Sequence, residues 1–388
     1  MKTSVTYRKI LYLSLPIIAG SAVENITSIV NTAFLGHLSP VALGASAIAG
    51  IFYLALIMLG FGFGIGVQII IARRYGEQNH LAIGEIIYQS AFFLLTFGVT
   101  VQLVFYFFGH NFFKSIIKSE EIYLSILAFL NYRIWGLFFA YINIIFRAFY
   151  TGILRTRIVG YYSVILASFN ILFDYLLIFG NFGFPKMGIA GAGLSSVIAE
   201  IVSTVFFVVY TSYQNSYKLF GLNRLVGFDI HQLTKILKIA SPVMIQFTIS
   251  FGGWFVFFMM IEKMGEIPLA VSNVVRTFYL VALLPLWGYA AVTNTLVSNK
   301  IGANQIDEIK WIVLKILKLS FLSILLLVLL LNIFSQQYFS IFTNNSIVVK
   351  ESIPVVIVVS ISSILMSVSI ILFNIISGSG KTTVNLII

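Results

Sequence analysis

A chain of 388 residues that is 59% hydrophobic and only 10% charged, with a mean hydropathy of +1.01, falls far below the roughly 25% charge of soluble domains and needs lipid as its solvent. This excludes a cytosolic enzyme and a disordered chain, and the absence of Cys excludes a secreted disulfide scaffold. Continuous apolar runs exclude the alternating strands of an outer-membrane barrel, and the net charge of +11, scattered over short gaps between those runs, marks a polytopic membrane protein rather than a nucleic-acid binder.

Ten complete spans are expected, at 10–36, 41–72, 83–108, 121–148, 158–180, 188–211, 235–261, 268–298, 313–334 and 347–377. Span one carries Glu24 and Asn31. Its Ala19-Gly20-Ser21 reads like a signal-peptide cleavage site, but the run is too long and another span follows at once, so it is a retained helix. Span two holds Gly60, Gly62, Gly64 and Gly66, two overlapping small-xxx-small spacings that suit close helix packing or a hinge. Arg133, near the middle of span four, must be paired or snorkel to an interface, with Glu24, Glu200 and Asp174 as the available partners.

Span five contains Asp174 in an otherwise uncharged run. A carboxylate there costs about 2.5–3.5 kcal/mol on insertion scales, so it must face a cavity or a partner, or carry a proton. Asn170 is one turn earlier on the same helix face. An amide beside a carboxylate suits a hard cation or a shared proton; the structural alternative is a hydrogen bond that ties helices together. Span six carries Glu200, whose alternatives are function or a structural pair with Arg133. A polar linker from Tyr213 to about Leu233 follows. Arg276, eight residues inside span eight, reads as structural, reaching the interface. Trp254, Trp287, Met244, Met259 and Met260 are available to line an apolar cavity, although aromatic and Met residues in spans more often face lipid or core.

The run Gly378-Ser379-Gly380-Lys381-Thr382-Thr383 fails as a phosphate loop, because the leading Gly would fall at Ile375; it is a turn between spans. His37, His80, His110 and His231 lie in or beside loops without metal-ligand spacing. No nucleophile–base pair is apparent.

With the N-terminus cytoplasmic, 17 Lys and Arg (Arg147 among them) fall on the cytoplasmic side and 5 on the other, which sets the orientation by the positive-inside rule. The sequence also repeats itself at a constant offset of 226 residues: Pro16 matches Pro242, Phe52-Tyr53-Leu54 matches Phe278-Tyr279-Leu280, Gly62 matches Gly288, Gly76 matches Gly302, and Gly152 and Thr156 match Gly378 and Thr382. Each unit holds six spans, so both copies insert with the same polarity. The fold class expected is an all-α polytopic membrane protein of two parallel six-helix bundles, with a substrate site at their interface. Residues 1–226 form the first bundle plus linker, and 227–388 the second, with four complete helices and the start of a fifth. The repeat arithmetic predicts a whole protein of roughly 440 residues, of which this chain would be a fragment that does not transport by itself. Span ten, with Ser360, Ser362, Ser363, Ser367 and Ser369, would then expose a surface built for protein contact.

Several segments resemble the multidrug and toxic compound extrusion (MATE) family: LSLPIIAG…IVNTAFLGHL in span one, GFGFGIGVQIIIARRYGE at the end of span two, and, most specifically, RAFYTGILRTRIVGYYSVILASFNILFDYLLIFGNFGFPKMGIAGAGLSSVIAE across spans four to six. The resemblance covers the whole chain and implies cation-driven export of small organic compounds by twelve helices in two bundles. It also implies a coupling-ion site of Asn170 and Asp174, with a sixth-helix hydroxyl at Ser196, where the family usually has Thr. The position near the outer end of the first helix, often Asp in the family, is Asn31 here, which removes one carboxylate from a two-carboxylate relay. A further branch of the family places acids in the second half; the corresponding positions are Ser250 and Met366.

At ~1.5 Å per residue, Asn31, Asp174 and Ser196 all lie roughly 8–12 Å below the outer surface and can share one layer. Glu24, two turns from Asn31 on the same face, can compensate for the missing Asp as a second proton carrier or by binding a cationic substrate. Glu200 and Arg133 form a secondary polar network. The expected function is a secondary active antiporter, monomeric in the bacterial inner membrane, exporting small organic, cationic or amphipathic compounds for H⁺ or Na⁺, with no cofactor, no metal beyond a Na⁺ at Asp174, and no nucleic-acid partner. One carboxylate with neutral ligands is a weak Na⁺ cage, which favours the proton. The alternatives are a lipid-linked saccharide flippase of the related superfamily, which would carry more cationic residues in its cavity, and a membrane enzyme or non-transporting membrane protein.

Overall fold

The computed structural model describes residues 5–214, 216–224, 226–343 and 345–387, and for Ser216, Phe255 and Glu262 the backbone alone. Lys2 and Ile388, which figure in the charge count and in the last apolar run, lie outside them. The first half comprises α1 (Tyr7–Leu38), α2 (Pro40–Gly76), α3 (Ala82–Val104), α4 (Glu120–Arg133), α5 (Gly136–Gly152), α6 (Arg157–Phe179) and α7 (Ile189–Tyr213). The second comprises α8 (Ile230–Glu262), α9 (Glu266–Ala282), α10 (Leu284–Gly302), α11 (Ile309–Ile333), α12 (Ser346–Gly378) and α13 (Thr382–Ile387). Helices start where a polar side chain can take up an orphan backbone N–H. Ser39 accepts from Ala42 N at 3.0 Å to begin α2, and Asp229 accepts from His231 N at 2.8 Å to begin α8.

Among the described residues, eight helices are long and apolar enough to cross a membrane, and two bent pairs bring the number to ten if each makes one crossing. The pairs correspond to spans four and eight, each expected as one continuous run. α4 and α5 meet at 50°, and α9 and α10 at 45°. Pro285 explains the second bend, since it has no N–H to donate to the preceding turn. At the first bend, a Cβ on Gly136 would lie 2.5 Å from Glu200 Oε2 and 2.9 Å from Arg133 Nη1, so the break makes room for a buried ion pair.

The 226-residue repeat reappears in three dimensions. Gln78 and Asn304, one offset apart, both take the left-handed conformation, at φ 59° and 56°. Gly62 packs on the backbone of Met244 in α8, and its counterpart Gly288 packs on Ile18 in α1, again one offset apart. Each half thus sends its first helix across to the other half's second, and α2 also packs directly on α10. The core follows this crossing: Ile10, Leu13 and Ile17 of α1 are buried with Phe278, Tyr289 and Phe339 of the second half. The four span-two glycines divide their work, with Gly60 and Gly64 against Tyr141 and Ile144 of α5, and Gly62 and Gly66 against Met244 and Ala240 of α8.

The span-ten serines correct one expectation. Ser360, Ser363 and Ser367 are buried, leaving only Ser362 and Ser369 exposed. Asn332 Nδ2 of α11 donates to Ser360 Oγ at 2.7 Å, and Ser320 Oγ donates to the Ser367 carbonyl at 3.0 Å. Ser360 and Ser367 are thus glue between α11 and α12.

Candidate functional site

A cavity of about 640 Å³ lies within the first half, lined among others by Asn31, Asn170, Ser196, Glu200, Arg133 and Glu24. A second, of about 550 Å³, lies between the halves and shares Glu24, Phe61 and Arg147 with the first. Of the candidate lining residues in the second half, Trp287 reaches this space, joined by Phe247 and Leu280. Met244 instead packs its backbone on Gly62.

The structure brings Asn31, Asn170, Asp174 and Ser196 together. Asp174 is fully buried, at 0% exposure, and Asn31 stands between it and the cavity. Asn31 Nδ2 donates to Asn170 Oδ1 at 2.8 Å, Asn170 Nδ2 donates to Ser196 Oγ at 3.0 Å, and Ser196 Oγ donates to the Ala192 carbonyl at 3.1 Å. In this polarity the Asn31 amide oxygen faces Asp174 Oδ2 at 2.6 Å, a contact that is a hydrogen bond only when the carboxyl holds a proton. With the Asn31 amide turned over, its nitrogen donates to Asp174 Oδ2 at 2.6 Å and to the Thr27 carbonyl at 3.1 Å, as an ionised carboxylate requires; turning over Asn170 as well would let Ser196 donate to the Asn170 oxygen. The chain from carboxyl to cavity is therefore coherent in either charge state. The other oxygen, Asp174 Oδ1, accepts from Ser195 Oγ. Ser195 went unread in the sequence because Ser196 occupied the family position; adjacent helix residues point about 100° apart, and only packing shows that one serves Asp174 and the other Asn170.

Among the described residues no Lys or Arg pairs with Asp174, whereas the buried Glu200 and the partly exposed Glu24 are each paired. Arg133 Nη1 donates to Glu200 Oε1 at 2.8 Å, Tyr53 donates to the same oxygen at 3.3 Å, and the Arg133 guanidinium lies 3.8 Å from the Tyr53 ring centre. Arg133→Ala would leave Glu200 buried without its counter-charge, a loss of about 3–5 kcal/mol. A clear drop in thermal midpoint is the expected result, with the double variant Arg133→Met/Glu200→Gln recovering more than half of it. An unchanged midpoint in the single variant would show that the pair has no structural weight.

Arg147 corrects the charge count. Counted with the cytoplasmic-side charges, it instead lies within α5 and turns into the cavity, its Nη1 3.4 Å from Glu24 Oε1. Ser163 Oγ donates to that oxygen at 2.9 Å. Arg276, expected to be structural, is exposed with its guanidinium 5.2 Å from the Phe258 ring centre. Among the described residues no cluster of three or more His, Cys, Asp or Glu could hold a metal ion.

The MatE family pattern matches residues 16–176 and again 242–388, two segments whose starts are one repeat offset apart. A probable multidrug resistance protein NorM from Synechocystis sp. is 26% identical over 86% of this chain and 73% of its own length. Another from Thermotoga maritima is 22% identical over 98% of this chain and 82% of its own. A third, from Agrobacterium fabrum, is 24% identical over 72% of this chain, which spans 60% of that relative. Among solved structures, the outward-facing conformation of a multidrug resistance MATE family transporter of the MOP superfamily superposes with a TM-score of 0.89 at 20% identity, over 98% of this chain and 84% of that one. A Pyrococcus furiosus MOP superfamily transporter, described as having a binding pocket of reversed polarity, gives 0.86 at 19% identity, over 98% and 84%. With the family pattern matched in both halves and the two-bundle fold in place, the chain belongs to the MatE (MATE) family of multi-pass membrane transporters and is not an enzyme.

Proposed function

We propose that the full-length protein is a proton-coupled exporter of small cationic or amphipathic organic compounds, acting as a monomer in the plasma membrane with its basic face toward the cytoplasm. Removing Arg147 from the cytoplasmic count leaves 16 Lys and Arg against 5, which still supports that orientation. Asp174 carries the coupling proton, Asn31, Asn170 and Ser196 connect it to the cavity, and Ser195 fixes its other oxygen.

The enclosure of Asp174 carries this reading. A hard cation needs a shell of several oxygen ligands, whereas Asp174 is 0% exposed and its neighbours, a serine hydroxyl and a primary amide, can supply hydrogen-bond donors. That setting suits a carboxyl that gains and loses a proton. The charge balance supports antiport. Glu24, Glu200 and Asp174 face Arg133 and Arg147, so the group carries one excess negative charge when Asp174 is ionised and none when it is protonated. A cationic substrate is favoured after the proton has left, and a proton after the substrate has left.

Efflux from proteoliposomes holding the full-length protein, under H⁺ and Na⁺ gradients imposed separately, tests this. A pH gradient is expected to drive efflux that a protonophore abolishes. Efflux driven by Na⁺ at fixed pH, insensitive to protonophore, would overturn the proton assignment.

A further inference from the structure

The two cavities meet at an ion pair that the proton site does not use. Glu24 and Arg147 line both. Their charged atoms stand 3.4 Å apart with side-chain exposures of 33% and 23%, whereas Arg133 and Glu200 are 2.8 Å apart at 15% and 9%. Charge-assisted N–H···O bonds sit at about 2.7–2.9 Å, so the Glu24–Arg147 pair is slack and the Arg133–Glu200 pair is closed. Ser163 holds the Glu24 carboxylate at 2.9 Å independently of Arg147. While paired with Glu24, the Arg147 guanidinium already has the Tyr162 ring centre at 5.6 Å and that of Phe61 at 5.7 Å, both within cation–π range, so it has other partners should the carboxylate be taken. Tyr162 is itself fixed by stacking on Phe207 at 4.9 Å. Trp287 and Phe247 of the second half supply apolar wall to the same space.

We propose that Arg147 is the resident cation of the substrate site. In the empty cavity it occupies Glu24; an amphipathic aromatic cation binds by taking its place on that carboxylate, and the guanidinium is retained by its contacts with Tyr162 and Phe61. Selectivity follows from the competition. A small hydrated cation gains nothing from Trp287 and Phe247 with which to displace Arg147, and a neutral aromatic gains nothing from Glu24. This inference rests on the export reading of the cavities and adds to it the group that a substrate must outcompete.

Equilibrium binding of tetraphenylphosphonium, a permanent aromatic cation, and of neutral triphenylphosphine oxide to the purified protein in nanodiscs tests it. Arg147→Met is expected to tighten the cation about tenfold and Glu24→Gln to weaken it about tenfold, with the neutral probe moving less than about twofold in both. Arg147→Lys keeps a cation on the carboxylate and is expected to bind tetraphenylphosphonium within about threefold of wild type; it stands in should the Met variant fold poorly. Cation binding unchanged or weakened by Arg147→Met, a tenfold change with Arg147→Lys, or both probes shifting together overturns the resident-cation role. Wild-type protein that does not bind tetraphenylphosphonium overturns the ligand class. Efflux measured on the same preparations separates the two readings. If wild type exports the cation but all variants bind it alike, the resident cation fails and export stands. If binding shifts as expected with no transport under any gradient, export fails and the site stands.

Discussion

Asp174→Asn is expected to lower gradient-driven efflux by on the order of 100-fold while leaving the protein folded. The amide is nearly isosteric with a protonated carboxyl. Its nitrogen can donate to the Asn31 oxygen that faces Asp174 Oδ2 at 2.6 Å, and its oxygen can accept from Ser195 as Asp174 Oδ1 does. The variant therefore satisfies the buried network in the polarity of the protonated state and keeps it there. What it removes is the change of charge that lets an ion gradient bias one conformation over the other; a ligand shifts an equilibrium only by its differential affinity for the two states. The thermal midpoint should stay near wild type, and exchange of labelled for unlabelled substrate across the membrane should outlast net efflux. Wild-type rates under an imposed pH gradient would sink the assignment of Asp174 as the proton carrier.

The same residues show how much of the site was legible in the chain. Asp174 and Asn170 share a helix face by their spacing, and the depth count placed Asn31 and Ser196 beside them; both rest on helix geometry, which a membrane span fixes tightly. Partner choice did not follow, because Glu24, Glu200 and Asp174 were all available to Arg133, and only the close approach of α7 to the α4–α5 bend at Gly136 selects Glu200. For Arg147, a charge count near the end of an apolar run does not distinguish a cationic side chain that snorkels outward from one that turns into a groove. Three of the buried serines of α12 did carry a signal: Ser360, Ser363 and Ser367 recur at the i, i+3, i+7 spacing of one helix face, while Ser362 and Ser369 do not belong to it. The bends escaped notice because hydropathy counts apolar residues and is blind to a change of helix axis; only Pro285 marked one of them.

A bulky residue at Gly302 is expected to open the basic face. There α2 and α10 cross at their last turns, where a Cβ on Gly76 would meet the Asn299 carbonyl and a Cβ on Gly302 would meet that of Arg73. These are the same contact seen from either side of the repeat, since Arg73 and Asn299 are also one offset apart. The crossing is sealed by Ser298 Oγ donating to the Ile69 carbonyl at 2.7 Å, Gln68 Nε2 donating to Thr295 Oγ1 at 2.8 Å, and Arg73 Nη2 donating to the Ser379 carbonyl at 2.7 Å. A transporter that rocks its two halves about a central site must break these contacts in each cycle, and backbone, unlike a flexible side chain, cannot yield to an added Cβ. Overpacking by about 1–3 kcal/mol corresponds to a population shift of roughly 5- to 150-fold, so Gly302→Leu should move most molecules out of the state closed at this face and slow efflux to a similar degree, with Gly76→Leu its counterpart. The chain has no native Cys, so spin labels at Asn79→Cys and Gln305→Cys, exposed positions that the repeat relates, report the opening without background. Their distance distribution should shift to longer values in Gly302→Leu. An unchanged distribution together with wild-type efflux would mean that contacts other than the glycine crossing hold this face shut.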